Sequence, residues 1–337
     1  MTDKIQDEPL LDVRNLTKSF VKPIGFAGHI ANLFGAGLRQ SEVRALAGVS
    51  LSVTKGDVLG IVGESGCGKS TLARILAGVS TQTGGVIASQ GRDLEAMTKA
   101  ERLAFNRSTQ MVFQDPFASL NPRRRVLDII GEAPVVHGLV KRTEKRAYVA
   151  DLLAKVGLAP DSMYRFPQQF SGGQRQRVGI ARALALRPKM LICDESVAAL
   201  DVSIQAQVLN LFLDLREEQD LTYIFISHDL SVMEYISNKI VIMYLGRVVE
   251  SGPTERVYAN PHHPYTRMLL EQRPTMTVQR RMFKPLGGEL PSPLKPPSGC
   301  PFHTRCPIAT ARCHTELPML REVASGQLSA CHLDAAG

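Results

Sequence analysis

The chain has 337 residues, 44% of them apolar, which allows a sizeable core and more than one folded unit. Its net charge of +8 permits an anionic partner such as nucleic acid or a membrane surface. The charges form no long blocks, so an ordinary solvated surface accounts for them equally well. The polar, acidic start from Met1 to Glu8 does not read as a signal peptide. No apolar run reaches membrane-spanning length, since Val178 to Cys193 is broken by Arg182, Arg187 and Lys189. A soluble cytosolic chain is expected, with any membrane role carried by partners.

Residues 10–62 read as β-rich, with alternating stretches at Leu11 to Leu16 and Ala45 to Val53. Between them, residues 22–39 carry Gly25, Gly28, Gly35 and Gly37 and read as an inserted loop with a short helix around Ile30 to Phe34. A variable surface insertion is one reading of it, and a contact with a membrane or permease is the other. Val58 to Val62 is a short apolar run of the kind that forms a buried parallel strand.

Directly after that strand comes Gly63-Glu64-Ser65-Gly66-Cys67-Gly68-Lys69-Ser70-Thr71, which fits G-x-x-x-x-G-K-[ST]. Glycines let backbone amides turn inward around phosphates, and the following helix aims its N-terminus at them. Lys69 is expected to neutralise the β- and γ-phosphates of a nucleotide, and Ser70 to ligate Mg²⁺. Leu72, Ile75, Leu76 and Val79 recur at helical spacing, with Gly78 near the end. Cys67 stands at a permissive position that needs no redox role.

Leu103 to Lys155 reads as mostly helical, broken by Pro116, Pro122 and Pro134. Lys189 to Cys193 and Thr222 to Ile226 are two more buried-strand candidates. Ile204 to Arg216 places Val208, Leu211, Phe212 and Leu215 on one helix face. The first of those strands ends in Asp194-Glu195. Asp194 is expected to hold Mg²⁺ through water and Glu195 to polarise an attacking water. An acidic pair could merely cap a turn, but ligands of α/β folds bind at the carboxyl ends of parallel strands. From residue 260 onward the chain is rich in Pro, Gly, His and Cys and reads as a separate small module. Of the six cysteines, Cys67 and Cys193 are isolated, whereas Cys300, Cys306, Cys313 and Cys331 crowd this tail. In a reducing compartment such a cluster is more often a metal site than a disulfide framework.

Further segments stand in a definite order along the chain: Phe113-Gln114, Ser171-Gly172-Gly173-Gln174, Ala199-Leu200-Asp201 and Ser227-His228-Asp229. With the phosphate loop and Asp194-Glu195 they resemble the ATP-binding-cassette ATPases over about residues 10–260. The resemblance implies a P-loop α/β core with an antiparallel β portion, and a helical signature subdomain at about 100–175. It assigns Gln114 to the magnesium ion, the water and permease sensing, and Ser171 to Gln174 to the γ-phosphate of an opposing subunit. It assigns Asp201 to the D-loop, His228 to the γ-phosphate and Phe20 to adenine stacking. Two departures, Ser196 for a proline and Ala198 for a small hydroxyl residue, replace no ligand. A composite site of this kind needs a second ATPase subunit, either a homologue or a second copy.

The tail narrows the resemblance. Asn260-Pro261-His262-His263-Pro264-Tyr265-Thr266, followed by Leu269-Leu270, Gly288 to Leu294 and Pro297 to Pro307, is similar to the extension of oligopeptide/dipeptide (peptide/nickel) importer ATPases. The implied organisation is an ATPase domain at 1–259 and a Cys-rich extension at 260–337. The implied partners are two membrane permeases and, indirectly, an extracytoplasmic solute-binding protein, at the cytoplasmic face of a bacterial inner membrane, with no nucleic acid. The family's tail implies a four-iron cluster on Cys300, Cys306, Cys313 and Cys331. Their spacing lacks a C-x-x-C knuckle. Zinc with His303 or His332 replacing a thiolate, and free structural thiols, stand as alternatives. The expected cluster fastens the tail and leaves ATP affinity unchanged, because the phosphate ligands lie wholly upstream. An ABC protein acting on nucleic acid is the alternative function. It predicts a second cassette, a long coiled coil or zinc knuckles, and none is present in the sequence.

Overall fold

The structure, a computed structural model, describes residues 8–22, 41–198, 200–272 and 291–333. The expected insertion beyond Lys22, the Ala199 of the D-loop segment and the tail stretch at 288–290 fall outside the described residues.

Two sheets organise the chain. Strands β1 (Leu11–Lys22), β2 (Ser41–Val53), β4 (Gly84–Ser89) and β5 (Arg92–Asp93) form an antiparallel sheet in the order β2-β1-β4-β5. Between β2 and β4 the chain leaves for the second sheet through β3 (Val58–Val62). That sheet continues with β6 (Thr109–Val112), β7 (Met190–Asp194), β8 (Thr222–Ser227), β9 (Lys239–Tyr244) and β10 (Arg247–Pro253). It ends with β11 (Arg321–Ala324) and β12 (Gln327–Ser329), in the order β11-β12-β10-β9-β3-β8-β7-β6. Strands β6, β7, β8, β3 and β9 run parallel, and β10 onward is antiparallel.

The unbroken apolar runs become intelligible from this sheet. Successive side chains of a strand point to opposite faces, and both faces are covered here. Leu191, Tyr223, Phe225, Ile240 and Ile242 enter one core with the helices Gly172–Leu184 and Val202–Gln219. Their neighbours Ile192, Ile224, Ile226 and Val241 enter a second core with β1, β2 and the helix Lys69–Leu76. A strand buried on both sides has no polar face to alternate with.

Between β5 and β7 the helices Lys99–Ser108, Val126–Val136, Lys145–Lys155 and Gly172–Leu184 build the expected helical region. Two details differ from the sequence reading. The four-residue strand β6 interrupts it, made by pairing with β7 rather than by any local pattern. Pro134 does not break its helix: it is buried within the last turn, where a single ladder bond is lost.

The tail packs directly onto the cassette. Its strand β12 pairs with β10 at Glu250–Ser329 and Ser251–Leu328, so the central sheet runs directly into it. Phe302, Cys300 and Cys313 belong to the same apolar core as the helix Gly172–Leu184.

Candidate nucleotide site

The phosphate loop joins the carboxyl end of β3 to the helix Lys69–Leu76. Gly68 lies at φ +105°, and a Cβ there would stand 2.3 Å from the Ala45 carbonyl oxygen of β2. Only glycine fits that left-handed, crowded position. The base of the loop is tied to the β9–β10 turn, where the Gly246 amide donates to the Cys67 carbonyl at 2.9 Å. Cys67 is buried, and burial raises its thiol above the ordinary range, which leaves it neutral. Lys69 is 4% exposed, and its Nζ donates to the carbonyls of Gly63 at 2.6 Å and Glu64 at 3.0 Å.

Three parallel strands deliver the acidic and polar groups. At the end of β7, Asp194 accepts from the Ser70 hydroxyl at 3.0 Å. Burial raises the Asp194 carboxyl, while the Ser70 bond acts in the opposite sense. The next residue, Glu195, has φ +44°, a left-handed conformation that costs a non-glycine residue about 1–3 kcal/mol and is characteristic of functional sites. That turn aims the carboxylate at two neighbours. Gln114 Nε2, two residues past β6, donates to Glu195 Oε2 at 2.6 Å. His228 Nδ1, directly after β8, stands 3.6 Å from Glu195 Oε1. Gln114, Glu195 and His228, far apart in sequence, therefore meet at one point.

The remaining expected residues are placed as follows. Ser171 caps the helix Gly172–Leu184: its hydroxyl accepts from the Gln174 amide at 3.3 Å, and the Gln174 side chain accepts from the Ser171 amide at 3.1 Å. The helix therefore begins at this cap, and a helix N-terminus is the kind of element that can bind a phosphate. Gly172 lies in open space. Asp201 is the exposed N-cap residue of the helix Val202–Gln219. Phe20 is 49% exposed on β1, with Lys18 Nζ 5.1 Å from its ring centre, so it is not a core residue.

Magnesium is implied by this class of fold. The Ser70 hydroxyl and the Asp194 carboxylate are hard oxygen donors side by side, and they fit such an ion. The tail cysteines form no such grouping among the described residues. Among the described residues no three His, Cys, Asp or Glu side chains are grouped to hold a metal ion, so the expected iron–sulfur or zinc site on Cys300, Cys306, Cys313 and Cys331 is not supported. Burial disfavours the charged thiolate at two of them. It pushes the Cys300 thiol up to about 11 and raises that of Cys306. The Cys313 sulfur sits 3.4 Å from the Thr310 hydroxyl.

The family described as "ABC transporter" matches residues 46–198, and "Oligopeptide/dipeptide transporter, C-terminal region" matches residues 249–313. A probable peptide ABC transporter ATP-binding protein of Sinorhizobium fredii is 47% identical over 329 residues, covering 97% of this chain and 91% of that one. An oligopeptide transport ATP-binding protein of Bacillus subtilis is 48% identical over 331 residues, covering 97% and 98%. Among solved structures, the ATP-binding cassette MJ0796, in a dimeric post-hydrolysis state bound to ADP and Pi, superposes with a TM-score of 0.61. It is 26% identical, over 72% of this chain and 98% of that one. With relatives this similar along nearly its whole length, and with the phosphate loop, acidic pair and signature helix in place, the chain belongs to the ATP-binding proteins of the ABC transporter family, in the oligopeptide/dipeptide group.

Proposed function

We propose that the chain is the ATP-hydrolysing subunit of a peptide-class importer. The observation that carries this reading is the convergence of Gln114, Glu195 and His228 beside the Ser70–Asp194 pair, on a chain whose tail matches the oligopeptide/dipeptide extension. Lys69 and the loop amides bind the phosphates. Ser70, Asp194 and Gln114 would hold magnesium, which offsets phosphate charge when bound. Glu195 accepts a proton from the attacking water, and Gln114 and His228 keep its carboxylate aimed. The amides of the Ser171 cap serve the site of a second ATPase subunit, and ATP closes the pair. The dimeric post-hydrolysis state of the structural relative favours that arrangement.

Transmembrane partners complete the reading, because no helix among the described residues is long and apolar enough to cross a membrane. A groove of about 650 Å³ lies beside Gln114, lined by Val79, Met111, Phe113, Ile129, Val136 and Arg182. Val79, Phe113 and Val136 are exposed. An exposed apolar groove next to the residue that touches Glu195 suits a permease helix. The chain then sits as a peripheral subunit at the cytoplasmic face of the membrane. The peptide-transport names of its relatives favour import over a nucleic-acid role. The test is reconstitution with its permeases, where a peptide-loaded binding protein should raise the ATPase rate. A rate unchanged by any loaded binding protein would reject the importer reading.

A further inference from the structure

The tail reaches the phosphate loop itself. Arg305 lies 241 positions from Glu64, yet its guanidinium donates to both carboxylate oxygens, at 2.8 Å and 3.0 Å. The pair is enclosed: the Arg305 side chain is 4% exposed and that of Glu64 is 19% exposed. The backbone amide of the same Glu64 donates to the hydroxyl of Tyr265 at 3.0 Å. Glu64 is thus held by its carboxylate and by its amide, both times by residues of the C-terminal extension.

These holders are themselves fixed. Tyr265 is fully buried, and its ring lies 4.8 Å from that of Tyr244 and 5.4 Å from that of Phe302. Arg305 also donates to the Tyr244 hydroxyl at 3.4 Å. The helix carrying Tyr265 is anchored by Glu250, which is wholly buried and accepts from the amides of His262 and His263 at 2.8 Å and 2.9 Å. Gln327, on β12, closes that anchor at 2.9 Å. Rigid packing around the two contacts means that Glu64 cannot shift without disturbing the extension.

We propose that Arg305 and Tyr265 are positioning residues for the phosphate loop, so that the C-terminal extension sets the cassette's affinity for nucleotide. The link runs through the Glu64 peptide, whose carbonyl also accepts from Lys69 Nζ. Bidentate guanidinium–carboxylate bonding fixes orientation as well as distance. Coupling between sites is reciprocal, so nucleotide in the loop also steadies the extension. Sequence separation suggested that the tail and the ATP site are independent, and the fold removes that separation.

The inference rests on the nucleotide-binding reading of the loop, and the experiment separates the two. A non-hydrolysable ATP analogue is titrated by calorimetry into the full-length chain and its variants, with thermal unfolding measured alongside. Arg305→Gln should weaken binding at least about fivefold, the lower end of typical site-to-site coupling of roughly 5–150-fold. In a Glu64→Gln background the same change should add less than about twofold, because the partner is already gone. Arg305→Lys, which keeps charge but not the fork, should restore part of the loss. Arg312→Gln, which breaks an exposed ion pair elsewhere in the tail, should bind as wild type. Wild-type affinity in a folded Arg305→Gln chain, or an equal loss in both backgrounds, overturns the proposal. If Arg305→Gln does not fold, Tyr265→Phe decides: it removes one oxygen from the aromatic cluster, and unchanged affinity overturns the proposal equally. A wild-type chain that does not bind the analogue overturns the nucleotide reading instead.

Discussion

Gln114 and Glu195 are 81 positions apart, yet the glutamine amide donates to the glutamate carboxylate at 2.6 Å. The bond joins the segment after β6, next to the exposed groove at Phe113, to the residue proposed to activate water. A displacement of Phe113 by a docked partner would move the Gln114 amide and with it the orientation of Glu195. In the proposed reading, chemistry and partner contact meet in adjacent residues.

Glu195→Gln should preserve nucleotide binding and stop turnover. The amide cannot take the proton from water, and loss of a positioned general base costs about 10²–10⁴-fold. Steady-state ATPase of the assembled transporter is the measurement. A rate within a few-fold of wild type would remove Glu195 from the base role.

Gly68→Ala should destabilise the chain even without nucleotide. The new Cβ meets the Ala45 carbonyl oxygen at 2.3 Å, and the residue sits at φ +105°. A cost above about 1 kcal/mol is expected for alanine at a position with this conformation. Urea unfolding of the nucleotide-free protein reads it directly, and an unchanged midpoint would contradict the geometry.

Ser171→Arg should abolish ATPase in the assembled pair while the same chain's phosphate loop still binds nucleotide. The Ser171 cap is made within the signature segment, with Gln174. Its amides serve the opposing subunit in the composite-site reading. Loss of nucleotide binding by the isolated variant chain would refute that reading.

Stability should fall as pH drops below neutrality, in part through His263. Burial pulls this imidazole down to about 3, with Arg267 acting in the same direction. Its Nδ1 accepts from the Tyr265 amide at 3.1 Å, Phe302 lies against its ring, and Glu250 faces its backbone amide. The unfolded chain protonates this histidine near the ordinary value of about 6.5. The unfolded state therefore takes up the extra proton between about 6.5 and 3, and stability declines across that window by at most about 1.4 kcal/mol per pH unit. His263→Asn keeps an acceptor at the helix N-cap and removes the titration. Urea midpoints at pH 7 and pH 5 should converge in the variant, and an undiminished difference would exclude His263 as the source.

Much of this protein was legible residue by residue. Gly63 to Thr71 is a local device: glycine spacing, one lysine and one hydroxyl act within a single turn, so sequence order carries the geometry. The same holds for the Ser171–Gln174 cap, which closes over three residues. The apolar runs of β3, β7 and β8 announced strands buried on both faces, because a surface strand would have alternated. What sequence could not state is which distant groups share a point. The meeting of Gln114, Glu195 and His228 depends on the parallel order of β6, β7 and β8. The four tail cysteines suggested a metal by type and crowding, but their arrangement belongs to backbone paths that no spacing encodes. Above all, the grip of Arg305 and Tyr265 on Glu64 exists only because β12 extends the cassette sheet and the aromatic cluster packs the tail beneath the phosphate loop. Local hydrogen-bonding chemistry is written in neighbouring residues, whereas contacts across 241 positions follow from which surfaces bury one another, and only the folded chain decides that.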